Sequence, residues 1–316
     1  MCLGFTNVWV TRTSSGQQRA VPFRTEGRIL SLRQAMIGYK KWLVRFVEYQ
    51  FDDAGPAVRA DVARYLWRSA PVSSGRSNES FTLVLDLTNS PQTLLSKMHP
   101  NARYAIRRAE KDRFQYHFWS ANDSDRLAEF YRFYDEFAAT KGLPAADRQR
   151  LNAFAAAGLL DLSCAADPHG MALVWHAHYR GHDRVRLIHS ASLRRRAMEP
   201  SIRALIGRAN CYQTWKDLLR FQLEGISIYD LGGWYARVAD REKLGINRFK
   251  ANFGGQIVKE FSADIPLTAI GRLALAFRRR CSWRPVKFLT ASQAVSKLFF
   301  SPCSLGSARK IPRTIR

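Results

Sequence analysis

A mixed β-sheet flanked by helices, an α/β (α+β) fold, is what this sequence predicts, and three observations carry the prediction. Residues 159–193 read as three strands in immediate succession, "LLDLSC", "MALVWHAHY" and "RVRLIHSASL", whose short connections suit antiparallel neighbours. Elsewhere strand-like runs alternate with helical ones, and such crossovers lay helices against a sheet. The composition suits a packed core, with 46% of the 316 residues hydrophobic and 24% charged, unlike a disordered chain.

Taken in order, "VWVTR", "TSSGQQ" and "RAVPF" read as a hairpin about a polar, Gly-containing turn. Residues 28–51 mix β-branched, aromatic and basic types and follow no single period. "PAVRADVARYLWRSA" (56–70) has Pro at a first helical position and apolar residues at helical spacing, which predicts a helix. "SSGRSNES" (73–80) is a loop and the clearest internal boundary. "FTLVLDL" is a strand, and "SPQTLLSKM" a short helix capped by Ser90. In "PNARYAIRRAEKD" Ala102, Ala105, Ile106 and Ala109 share one helical face, while Arg103, Arg107 and Lys111 form a basic stripe on another. After the strand "FQYHFW", Leu127, Phe130, Tyr131, Tyr134 and Phe137 define a long helix over 124–141 with Lys141-Gly142 at its C-cap. A second helix near 146–156 leads into the three strands. Beyond "RRRAMEP" a helix runs from about 201 to 224, then the strand "ISIYDL", a mostly helical 236–250 and the strand "GQIVKEF".

Loud catalytic signatures are missing. The sequence has no GxSxG, no phosphate-binding P-loop and no GxGxxG. His176 and His178 share one strand face, but no third ligand stands at metal-site spacing, so no metal is expected. Five scattered cysteines without a CxxC pair suggest reduced thiols in a cytoplasmic protein. The N-terminus lacks the basic and apolar regions of a signal peptide, and no run nears the roughly 18–20 apolar residues of a spanning helix. Charge is the outstanding property: 50 Lys+Arg against 26 Asp+Glu gives +24, which favours polyanionic partners.

Two phrases close together, "YDLGGW" (229–234) and "INRFKANFGG" (246–255), each combine aromatic residues with Gly-Gly. The first ends a strand, where Tyr229 and Asp230 offer a hydroxyl and a carboxylate suited to proton transfer. The second ends a helix, with Arg248 and Lys250 near its C-terminus and Gly254-Gly255 as the exit.

In order along the chain, "LDLTNSPQTLLSKMHPNARYAIRRAEK", "FYRFYDEFAATKG", "IGRANCYQTWKDLLRFQLEGISIYDLGGW" and "GINRFKANFGGQIV" resemble the FemAB-like branch of the GNAT-fold acyltransferases over roughly residues 80–262. The resemblance implies three parts: a partial N-terminal GNAT-like half (1–79), an acyltransferase domain (80–262) and a basic C-terminal helix and tail (263–316). It implies an N-acyltransferase acting on an amine of a cell-envelope polysaccharide or peptidoglycan-type precursor by direct attack, with no tightly bound cofactor. The donor is either an acyl-CoA-type thioester or an aminoacyl-tRNA, and the acceptor a small-molecule or lipid-linked amine. The donor would enter between splayed strands "RVRLIHSASL" and "ISIYDL", with its phosphates near Arg194, Arg195, Arg196 and Arg203 at a helix N-terminus. The ordinary CoA-binding loop of GNAT enzymes is absent. By the same resemblance Phe249 and Lys250 would lie near a tRNA acceptor end, Lys250 acting on donor or transition-state charge. Asp230 is the candidate proton acceptor, with helix capping as its structural alternative; Arg103, Arg107 and Lys111 are the candidate contacts to acceptor phosphate, and Tyr229 and Arg248 further substrate contacts.

Two other functions compete: a basic nucleic-acid-binding module, and a non-catalytic envelope-assembly protein. No RNP, zinc-finger or helix-turn-helix signature favours the first. After Asp264 the chain has eleven cations and no acidic residue, and "IPLTAIGRLALAFRRRCSWRPVKFL" joins an apolar helical run to a polybasic end. That composition suits peripheral contact with an anionic membrane on its cytoplasmic face, with docking of the helix on the domain core and a grip of the tail on tRNA as the alternatives.

Overall fold

A computed structural model describes residues 36–41, 43–51, 59–73, 75–120, 123–193, 199–236 and 240–281. Three strands come first: β1 (Met36–Lys41), β2 (Val44–Gln50) and β3 (Val62–Arg68). β4 (Asn78–Asp86) leads into helices α1 (Pro91–Lys97) and α2 (Pro100–Lys111), then β5 (Gln115–Ser120), α3 (Ser124–Lys141) and α4 (Arg148–Ala156). A meander of β6 (Leu160–Ala166), β7 (Ala172–Arg180) and β8 (Arg184–Ser192) follows. The described chain closes with α5 (Pro200–Leu223), β9 (Ile228–Trp234), α6 (Arg241–Ala251), β10 (Gln256–Pro266) and α7 (Ala269–Cys281).

The helices start and stop where local chemistry requires. Ser90 Oγ accepts from the Thr93 N–H at the start of α1, and Asp123 and Asp147 do the same for α3 and α4. α3 ends on Gly142 at φ +63°, a left-handed cap. The ten strands form one mixed sheet in the order β1-β2-β3-β10-β4-β9-β8-β7-β6-β5, parallel only at β2–β3 and β8–β9. α2 packs on α5, and with α1 and β9 they enclose Leu83, Leu94, Ile106, Trp215 and Phe221. A second cluster joins α3 and α4 to the sheet through Phe130, Phe154, Trp175 and Tyr179.

The predicted helix over 56–70 is corrected: its second half is the strand β3, paired parallel to β2 and antiparallel to β10. Its apolar spacing fits both periods over so few residues, and two flanking strands decide in favour of extended backbone. The predicted hairpin at 8–23 lies outside the described residues. No break in the sheet falls at 79/80 or 262/263, since β10 pairs with β3 on one side and β4 on the other.

The sheet is strongly coiled. Trp67 on β3 and Tyr179 on β7 have ring centroids 5.8 Å apart, although five strand steps separate them. In a flat sheet that separation would be about 24 Å. The coil carries β3, β8 and β10 around one concave interior, which fixes the site described next.

Candidate functional site

β8 and β9 pair over only three residues, Arg184↔Ile228, Val185↔Tyr229 and Arg186↔Asp230, and no pairing continues beyond. The consequence is visible on β8: Leu187–Ser190 remain half-exposed in the middle of a ten-stranded sheet. Each arm of this fork carries a bulge. On β8 the register with β7 slips between Ala177↔His189 and His178↔Leu187, leaving Ile188 as the extra residue. On β9, Thr82 faces Gly233 and Val84 faces Asp230, so Leu231 and Gly232 together oppose Leu83. Bulges re-aim peptide groups and end pairing, and they recur beside active sites. Gly232 sits at φ +75°, and a Cβ there would stand 2.9 Å from the Leu187 carbonyl oxygen. A side chain is therefore excluded at the apex of the fork.

Below the apex lies a buried charge cluster. Arg186 donates to Asp230 (2.8 Å) and to both oxygens of Glu260 (2.7 and 3.0 Å). Asp230 also accepts from Arg184, from the Thr82 hydroxyl and from the Gly232 N–H at 2.7 Å. Burial pushes the Asp230 carboxyl up, but Arg186, Arg184, Thr82 and Gly232 outweigh it and hold the pKa below the ordinary value. Lys250 reaches over from α6, and its Nζ donates to the carbonyls of Gly232 (3.0 Å) and Gly233 (2.7 Å). Burial, then Arg186, lower its pKa to about 8. The Lys250 ammonium thus pins the bulge that forms one arm of the fork.

Two expected roles are corrected. Asp230 is fully buried with four donors on its two oxygens, so it is the counter-charge of the fork and has no free lone pair for an incoming proton. Tyr229 is also fully buried, and its hydroxyl meets His178 Nε2 at 2.9 Å, so it is not exposed to meet a substrate. The sequence reading missed why: Asp217 of α5 is buried against β7, where its carboxylate meets His176 Nδ1 at 2.7 Å and accepts from the Tyr116 hydroxyl at 2.8 Å. His176, His178 and Asp217 are groups a metal ion could use, α5 supplying the third that the spacing did not reveal. The 2.7 Å contact is a hydrogen bond, however, shorter than the about 3.3 Å between two tetrahedral zinc ligands.

The other expected residues are dispersed. Phe249 is half-buried against Phe253, centroids 5.2 Å apart, so its ring serves the core; Arg248 is exposed. Arg194, Arg195 and Arg196 lie outside the described residues. Arg203 stands in the first turn of α5, whose N-cap Glu199 makes no capping side-chain bond. Arg103 and Arg107 line a surface groove of about 210 Å³ with Leu95, Ser96, Ile106, Glu110 and Trp215, while Lys111 is exposed outside it. Every lining residue comes from α1, α2 or α5, so groove and fork are separate features. If the groove holds an acceptor phosphate, Arg103→Ala with Arg107→Ala will raise the acceptor KM several-fold and leave the melting temperature within about 2 °C of wild type. Unchanged KM with a lowered melting temperature would make the stripe structural.

Arg184, Arg186, Glu260 and Thr82 were not singled out from sequence. The available signal was charge on strands that otherwise read as buried: "RVR" in β8 and "VKE" in β10.

No family model matches this chain, and no curated protein matches it. Among solved structures, FemX superposes with a TM-score of 0.53 at 11% identity, over 85% of this chain and 90% of FemX. L-PGS from Bacillus licheniformis gives 0.44 at 9% identity, over 74% and 82% of the two chains. The C-terminal DUF2156 domain of an Agrobacterium fabrum protein gives 0.46 at 12%, over 73% and 80%. The chain therefore has the mixed α/β fold seen in FemX.

Proposed function

We propose that this chain is an acyltransferase that moves an acyl or aminoacyl group onto an amine of a cell-envelope polysaccharide or peptidoglycan-type precursor. The observation that carries the reading is the fork: β8 and β9 part after three pairs, each with a bulge at the parting point. An extended acyl donor fits between the arms, where strand backbone has lost its ladder partner and offers hydrogen bonds. Re-aimed peptide N–H groups at the bulges can stabilise the oxyanion formed when the amine attacks the donor carbonyl. Its collapse breaks the bond to the donor's sulfur or ribose oxygen, and that leaving atom takes up the proton the amine gives up. Attack is direct, so most of the rate comes from aligning the two reactants. The donor's phosphates are assigned to Arg203 in the first turn of α5 and to Arg194, Arg195 and Arg196, which precede it in sequence, and the acceptor's phosphate to Arg103 and Arg107.

The test is transfer to amine acceptors from a labelled acyl-CoA in one arm and from aminoacyl-tRNA in the other. Transfer in either arm supports the reading and identifies the donor; ribonuclease abolishes it only for tRNA. Failure in both arms across amino-sugar and peptide-amine acceptors rejects it. A trapped acyl-enzyme would reject direct attack.

Lys250 gives a separate test. Lys250→Met removes the pin on the Gly232 and Gly233 carbonyls and is expected to lower kcat/KM about tenfold, or about 1.4 kcal/mol. Stability should report the same residue. Its pKa is about 8 folded against 10.5 as the ordinary value, so between those pH values the unfolded chain binds more protons. Its contribution therefore makes wild-type stability rise with pH in that window, and the rise will be absent in Lys250→Met. Identical stability–pH curves for the two proteins would show that Lys250 is not buried at the fork.

A further inference from the structure

We propose that the outward face of α7, with the adjacent β1–β2 turn, is a docking surface for an anionic lipid bilayer. α7 is seated on the sheet by one side only. Gly271 lies against the Asp61 carbonyl so closely that a Cβ would overlap it at 1.9 Å. Thr268 donates to Asp61 at 2.9 Å, and Arg278 to Asp264 at 2.6 Å. Ile270, Leu273 and Phe277, at i, i+3 and i+7, stand on the opposite side and are 52%, 71% and 64% exposed. Leu267 precedes them and is also exposed.

The same edge of the sheet adds to this stripe. Asp61 accepts from the Arg45 backbone N–H at 2.9 Å, which ties the end of the β1–β2 hairpin to the start of α7. Leu43, at the turn of that hairpin, is the most exposed large apolar residue on β1–β3, at 81%. Apolar side chains gathered at one edge, on a helix already docked by its other face, leave a surface without a protein partner in this chain's described residues.

Charge selects the occupant. Lys40, paired with Arg45 in the β1–β2 hairpin, Arg59, two residues before Asp61, and Arg272 on α7 are all exposed. The two carboxylates that touch α7 are already countered, Asp61 by Arg45 and Asp264 by Arg64 and Arg278. Beyond α7 the sequence continues with seven of the eleven cations that follow Asp264, and no acid. A second copy on a two-fold axis would bring these cations against their own kind. An anionic bilayer accepts both components, apolar side chains at the acyl boundary and cations at the headgroups. α7 would lie in the interface and not cross it: no helix among the described residues is long and apolar enough to span. This inference stands independently of the acyltransferase reading.

The experiment is co-sedimentation of the full chain with phosphatidylcholine vesicles and with vesicles containing roughly one third phosphatidylglycerol. Wild type is expected to bind only the second, and less as salt rises. Leu273→Glu with Phe277→Glu changes two exposed residues, so folding and melting temperature should be retained, while the partition coefficient falls at least tenfold. Absence of wild-type binding overturns the proposal. So does undiminished binding by the variant, which would leave the cations alone responsible. Sedimentation equilibrium supplies the remaining arm: a wild-type dimer that the variant dissociates would assign the face to a second copy.

Discussion

Arg186→Met will lower the free energy of unfolding by about 3–5 kcal/mol, because it leaves two buried carboxylates without their principal partner. Asp230 is fully buried and Glu260 nearly so, and among the described residues Arg186 is the one side chain that bonds both within 3.0 Å. Its guanidinium also lies 4.4 Å from the centroid of Trp67, so packing is lost along with charge. Adding Asp230→Asn and Glu260→Gln to the variant neutralises the orphaned carboxylates and should recover more than half of the loss. Urea denaturation measures both. A single variant within about 1 kcal/mol of wild type would mean that water reaches the cluster and that the fork has no fixed base. The pH dependence has a definite direction. Asp230 has a lowered folded pKa, so its stabilisation is complete above the ordinary carboxylate range and is lost as pH falls through the folded value.

The second large effect belongs to the glycines. Gly255→Ala is expected to cost about 3 kcal/mol or more: its φ is +90°, and a Cβ would stand 2.4 Å from the Val84 carbonyl oxygen. Gly232→Ala should cost about 2 kcal/mol, from φ +75° and the 2.9 Å approach to the Leu187 carbonyl. It should also depress acyl transfer more than stability explains, because it fills the apex of the fork. Gly233→Ala meets nothing within 4 Å and should fall within about 0.5 kcal/mol of wild type. A graded series of this kind, read by chemical denaturation, separates Gly232 from Gly233 and both from Gly255. Three equal effects would show that the glycines are interchangeable spacers.

The pairing of "YDLGG" with "FKANFGG" is thus explained by backbone proximity. Gly232 lets β9 bulge against β8, Gly255 lets the chain enter β10 beside β4, and Lys250 bonds the carbonyls that the bulge turns out. Their nearness in sequence was legible; the division of labour between them was not. The basic stripe was legible in the same limited way: two of its three members share a groove, yet the groove belongs to α1, α2 and α5 and not to the fork.

What the sequence alone determined is what depends on neighbours within about four residues. Ser90 and Gly142 are caps whose partners lie in the adjoining turn, and the apolar face of α2 is set by period 3.6. The forked strand pair was expected from resemblance, and the register bears it out at Arg186↔Asp230. Only the tertiary structure decided that residues 62–68 are a strand, since the apolar spacing was ambiguous and β2 and β10 settled it. It alone decided that Asp230 is a counter-ion, through Thr82, Arg184 and Arg186, which lie 148, 46 and 44 positions away. A carboxylate becomes a base or a buried ion-pair partner according to which donors surround it, and here those donors converge because the sheet coils.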